Sequence, residues 1–350
     1  MWSEVFILAL TALLALVLRW AFRSLPREEW QMLAAVPVEK RDCDDWHGVN
    51  LTYYGLLIAV SCAFSSAVAL VLMGSVGIPG RVGLAIIGVM LVVCIPMSRI
   101  VARVVEKRLH TLTIAGPAFL GIVAAPGIVW LADIVLEPLT GTRIPMLPVL
   151  AAFSVAYAMG EGLGRLACIS FGCCYGKPLV ECHPMLQRLL SRYGFVFSGK
   201  TKKISYESGL DGEPVVPIQA MTSSLFVGTG VVGIFLFLRG LFAESLIVTL
   251  TITQAWRIVS ETLRSDYRGE GSWSAYQGLA AVAILYGVGI YFLAPRSTID
   301  PADLVQGLGS LWDPVVILLL QVVFAATFLW TGRSTVTEST MVFRIRGRES

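Results

Sequence analysis

Gly160-Glu161-Gly162-Leu163-Gly164-Arg165-Leu166-Ala167-Cys168-Ile169-Ser170-Phe171-Gly172-Cys173-Cys174-Tyr175-Gly176-Lys177 begins inside an apolar run long enough to cross a bilayer, yet it carries two opposite charges. A charge at mid-bilayer costs roughly 2.5–3.5 kcal/mol on insertion scales, so Glu161 and Arg165 must face each other, water or a polar ligand. They stand at i and i+4 with the acid first, the favourable helical order. Glycines at 160, 162, 164, 172 and 176 strip side chains from around the pair, letting a neighbouring helix or a lipid head group approach the backbone. The stretch reads first as a site and second as a packing element.

The rest of the composition agrees with a membrane setting. With 56% apolar and 15% charged residues, the 350-residue chain lies outside the ordinary soluble class. Apolar runs of span length occur at 3–19, 51–76, 82–98, 113–133, 148–171, 217–238, 243–260, 276–294 and 312–331. Uninterrupted runs of that length must be helices, because lipid leaves no partner for open backbone. The fold class expected is therefore all-α, a polytopic helical membrane protein. The first run holds Glu4, lacks a basic leader and a small-residue cleavage site, and reads as an uncleaved helix. A net charge of +3, scattered through connectors, is too small to argue for a nucleic-acid partner, and none is expected. Seven cysteines without a C-x-x-C pair, beside three histidines, argue against a structural zinc site. Cys62 and Cys94 fall in helical runs and read as small apolar packing residues.

Between the runs, 20–50 reads as a polar connector whose Trp46 and His47 belong at the membrane interface. Tyr54 then sits at a helix mouth, and Gly77-Ile78-Pro79-Gly80 marks a tight helical hairpin. Arg99, Arg103, Lys107 and Arg108 lead to His110 and to a fourth helix weakened by Gly116-Pro117. Residues 172–216 are too polar for lipid and are expected to form a small extramembrane head, with a short hairpin around Phe195-Val196-Phe197 and 201–206. The seventh run ends in a second charged cluster. At about 100° per residue, Glu261 and Arg264 flank Arg257 on one helix face. Three guanidiniums, from Arg165, Arg257 and Arg264, have the fork geometry that grips phosphate. The basic tail with Arg344, Arg346 and Arg348 is expected to be solvent exposed.

Taken in order, these segments resemble prolipoprotein diacylglyceryl transferase, the bacterial membrane enzyme that lipidates the lipobox cysteine of prelipoproteins. Tyr54-Gly55-Leu56 looks like its first core helix, and Gly164-Arg165-Leu166-Ala167 with Gly172 and Gly176 like its signature. Pro217-x-Gln219 resembles the opening of its fifth helix, Arg257-x-x-x-Glu261-x-x-Arg264 its sixth-helix charges, and Gln277 the glutamine that begins its seventh. The likeness covers about residues 47–295. It implies a seven-helix core with an extra helix at each end: an N-terminal helix and connector at 1–46 and a C-terminal helix and tail at 296–350.

The resemblance also implies a reaction, in which a thiol attacks the glycerol carbon of phosphatidylglycerol and releases glycerol phosphate, without cofactor or metal, in a bacterial inner membrane. Arg165, Arg257 and Glu261 would be catalytic; Tyr54, Glu161, Gly164, Gln219, Arg264 and Gln277 would bind the phospholipid and the prelipoprotein signal peptide. Departures are specific: Ala115 stands where the family has its histidine, Thr253 where it has a tyrosine, Met221-Thr222 where it has Tyr-Glu, and Cys168, Phe171 and Cys173 where it has Asn, Asn and Glu. They leave the base open between Glu161 and His110. Two other readings remain at this stage, a relative that binds or transfers another anionic lipid and a small-solute transporter. Basic residues concentrate, twenty against four, in the connectors 20–50, 99–112, 172–216, 261–275 and the tail. That bias places those connectors in the cytoplasm, whereas the resemblance implies that the loop after the signature lies outside.

Overall fold

The computed structural model describes residues 2–41, 45–105, 115–266, 274–295 and 302–343. Among them are nine long helices: α1 Trp2–Ser24, α2 Tyr53–Ser75, α3 Gly80–Val105, α4 Ala115–Thr140, α5 Met146–Phe171, α6 Ile218–Leu238, α7 Phe242–Thr262, α8 Ala275–Leu293 and α9 Pro314–Thr331. The protein is an all-α polytopic helical protein, and seven of these helices are long and apolar enough to cross a membrane. Of the other two, α3 is apolar over Gly80–Cys94 among its described side chains, and α7 carries Glu244, Arg257 and Glu261.

α5 is the axis of the bundle. It packs on α2, α6 and α7 and is buried along almost its whole length. Close approach explains two of its glycines, Gly160 and Gly162. A Cβ on Gly162 would stand 3.0 Å from both the Cβ of Phe226 and the backbone nitrogen of Val227 on α6. The outer helices instead turn Leu8, Leu13, Trp130, Leu285, Phe292 and Leu318 outward, the apolar surface a lipid environment requires.

The ends of α1, α5, α7 and α9 and the beginnings of α2, α6 and α8 gather at one face, which the head covers. Two expectations are corrected here. The connector 20–50 is more than a polar linker: β1 Met32–Lys40 and β2 Asp45–Thr52 pair antiparallel, and β5 Arg333–Val342, which precedes the tail, adds to β2 with Gly48 opposite Ser339. In the head, β3 Phe195–Val196 pairs with β4 Pro214–Val215, whereas Lys203–Ser208 is helical. The tail arginines 344, 346 and 348, His110, Lys107 and Arg108 lie outside the described residues.

Lys202 ties the head to the bundle. Its buried ammonium nitrogen donates to the carbonyls of Leu25 at 3.2 Å and Ser170 at 2.6 Å. Burial lowers its pKa from the usual lysine range to about 8, against the raising effect of Glu28. Between that value and the unfolded lysine's, near 10.4, the unfolded chain binds more protons, so this group adds stability as pH rises. The neutral amine keeps both donors. Melting in detergent is therefore expected to shift upward from pH 7 to pH 9.5. Lys202→Met should flatten that slope and cost about 1–3 kcal/mol by leaving two buried carbonyls unpartnered; an unchanged slope would remove this account.

Candidate functional site

Glu161, with its side chain 2% exposed, sits two-thirds of the way along α5. One carboxylate oxygen accepts from Arg165 on the next turn, and the other accepts from Arg257 on α7. Two spans almost a hundred residues apart in sequence thus converge on one carboxylate. With each oxygen engaged by a guanidinium, Glu161 is a bracket between helices, and two cations compete with a substrate proton for it in the general-base role that the sequence leaves open. The triad carries one net positive charge.

Tyr157 completes the arrangement and was not singled out from the sequence. Its hydroxyl accepts from Arg257 Nε at 2.9 Å and from Gln254 Nε2 at 3.2 Å, and the Arg257 guanidinium lies 5.9 Å from its ring centre. A phenol therefore stands beside Arg257 after all, supplied by α5. Thr253, where the family has a tyrosine, turns its hydroxyl to the carbonyl of Thr249 at 2.7 Å. The signal for Tyr157 was its place four residues before Glu161, on the same helix face.

Below this polar group lies a half-open cavity of about 400 Å³ lined by α2, α3, α4, α5, α7 and α8. Its walls are mainly aliphatic, including Ile58, Ile87, Leu91 and Leu250, while Tyr157, Glu161 and Gly164 form its polar end. Cys62 and Cys94 line it too, as small residues in the helical walls. A volume of this size falls within the range of ligand pockets, roughly 300–1,000 Å³.

The other expected site residues divide by position. Tyr54 packs edge-on to Phe171, 5.7 Å between ring centres, beside Arg165 and the cysteines. Gln219 donates to the carbonyl of Cys173 at 2.9 Å, and its buried Oε1 has no hydrogen-bond partner. Arg264 departs from the expected helix face, because α7 ends at Thr262. Its Nε and Nη2 hold the Asp266 carboxylate at 2.7 Å, and Glu261 lies 3.9 Å from Nη1. Glu261 thus orients Arg264 and makes no bond to Arg257. Gln277 is engaged in a capping box with Ser274 and donates to the carbonyl of Ile258 at 3.0 Å, which locks α8 to the end of α7.

The cysteines are the larger surprise. Adjacent residues on one helix would point apart, but α5 stops at Phe171 and Gly172 turns the chain with φ 72°. The amide of Cys173 then donates to the carbonyl of Cys168 at 3.0 Å, and Cys174 takes a left-handed φ of 56°. This reversal brings the sulfurs of Cys168, Cys173 and Cys174 within 4.8 Å of one another. The spacing C-x4-C-C across a glycine stop was the available signal.

Fold and site together define a multi-pass helical membrane protein with a charged group at the head of an intramembrane apolar cavity. The sequence matches no family model, and no curated protein is significantly similar to it.

Proposed function

We propose that this protein is a membrane transferase of the diacylglyceryl type, moving a diacylglyceryl group from phosphatidylglycerol to the cysteine thiol of a prelipoprotein in a bacterial inner membrane and releasing glycerol phosphate. The observation that carries the reading is the Glu161 carboxylate at the polar end of an apolar cavity, held there by Arg165 and Arg257, which stand behind it and outside the cavity lining. Aliphatic walls suit acyl chains, and the net positive triad suits a phosphate at their head. The charge that develops on a departing phosphate is greatest in the transition state, where fixed guanidiniums contribute most. Arg165 keeps one donor for it, since its buried Nε has no hydrogen-bond partner. The five motifs in register support the same reading.

The basic excess of the head face favours a cytoplasmic position for that face, so the acceptor would arrive from inside, a departure from what the resemblance implies. Purified protein given phosphatidylglycerol and a lipobox peptide should raise the peptide mass by one diacylglyceryl group. In oriented vesicles, an impermeant peptide should react only from the head side. No mass change alongside a working control enzyme sinks the reading. A second reading, an anionic-lipid carrier without transfer, is favoured by the engagement of both guanidiniums with Glu161; it requires anionic lipid to co-purify and to be lost in Arg165→Met.

A further inference from the structure

The transfer reaction needs an acceptor thiolate, and the described residues, which do not include His110, leave its source unexplained. Ala115 replaces the histidine that the resemblance implies, and the Glu161 carboxylate is held by two cations. One turn beyond Arg165, on the same face of α5, stands Cys168, with the sulfurs of Cys173 and Cys174 folded back over it. All three thiols are free. Three sulfurs bound to one zinc at about 2.3 Å lie roughly 3.7–4.0 Å from each other, so side-chain rotations that bring the sulfurs closer by up to about 1 Å close the set from its present spread within 4.8 Å. Among the described residues no fourth Cys, His, Asp or Glu joins the group. Three protein ligands and an open fourth position is the pattern of a catalytic zinc site, whereas closed structural sites use four.

The surroundings suit such a site. Arg165 and Arg264 both lie within electrostatic reach of the cluster and oppose the negative charge that three thiolates on one divalent ion retain. Gln219 anchors the turn through the Cys173 carbonyl, and its own Oε1 is buried without a hydrogen-bond partner.

We propose that Cys168, Cys173 and Cys174 form an open three-thiolate zinc site whose fourth position takes the acceptor thiol as thiolate. This rests on the transferase reading and supplies the step that reading lacks. A coordinating thiol loses its proton outright, here to water. The sulfur lone pair then forms the S–C bond to the glycerol carbon as the C–O bond breaks. That electron pair leaves on the phosphate oxygen of glycerol phosphate, beside Arg165.

Metal analysis of the purified protein should find about one zinc ion per chain. Cys173→Ser and Cys174→Ser should each weaken zinc binding at least about tenfold, with Cys182→Ser, in the head, as the unchanged control and melting curves confirming that each variant is folded. In the cobalt-substituted protein, a lipobox peptide should shift the sulfur-to-cobalt charge-transfer bands, and its Cys-to-Ser analogue should not. Zinc no higher than in a triple serine variant overturns the site. Bound zinc with a cobalt spectrum blind to the thiol peptide overturns the fourth-position role. Both readouts are independent of lipid transfer, so a responsive cobalt spectrum with no transfer would remove the transferase reading and leave the thiolate site standing.

Discussion

Under the proposed transferase function, Glu161→Gln is expected to lower diacylglyceryl transfer by at least about 100-fold, and in any case to destabilise the protein by roughly 3–5 kcal/mol, the range for breaking a buried ion pair by removing one partner. The amide keeps the shape of the side chain and loses its charge. Arg165 and Arg257 would then face one another in a buried site with no anion between them, and each would be free to turn toward other acceptors. The phosphate would meet two displaced forks where it had met one fixed pair. Stability and catalysis separate in the double variant Glu161→Gln/Arg257→Met. Removing the second charge relieves the repulsion, so the double variant should melt above the sum of the two single losses, while transfer stays absent because one fork is gone. Melting in detergent and a peptide mass assay measure the two quantities. Transfer within about threefold of the parent protein in Glu161→Gln, at matched folding, would count decisively against a catalytic triad.

The bundle and this triad were open to sequence reading for a common physical reason. Apolar length reports a span directly, and each of the nine runs coincides with a long helix, although three of those helices run five to seven residues past the end of their run. A charge within such a run must find a partner, which singled out Glu161, Arg165 and Arg257 before any contact was known. Local rules served less well where the partner is remote. β5 joins β2 across some 290 residues of chain, and β1 and β5, being largely exposed, lack the apolar alternation of a buried sheet face. Arg264 could be placed on the Arg257 face only while the helix continued, and it stops two residues too soon. Ser274-x-x-Gln277 is a capping-box spacing, so the structural use of that glutamine was within reach and was missed in favour of the family likeness. The cysteine cluster needed knowledge of where α5 ends. Gly172 carried that information, and a C-terminal glycine followed by two cysteines is the pattern to weigh in such chains.

Two glycines on α5, two residues apart, should respond in opposite ways and thereby test whether the cavity holds the lipid. A Cβ on Gly164 meets only the Ile58 Cδ1, at an ordinary 3.8 Å. Gly164→Ala is therefore expected to be tolerated and to raise stability by about 0.5–1 kcal/mol through helix propensity. Gly164→Leu pushes a branched side chain into the polar end of the cavity, next to Glu161. Transfer should fall by at least about 30-fold, the fall carried mainly by a higher KM for lipid, because ground state and transition state lose the same acyl contacts. Gly162 faces α6, and Gly162→Ala meets Phe226 and Val227 at 3.0 Å. Overpacking there should cost about 1–3 kcal/mol in stability with the lipid dependence of the surviving folded fraction unchanged. The pair distinguishes a lipid-filled cavity from a packing defect. If Gly164→Leu leaves the lipid dependence of transfer where it was, the acyl chains lie elsewhere, and the bracket at Glu161 must receive its phosphate from the head side.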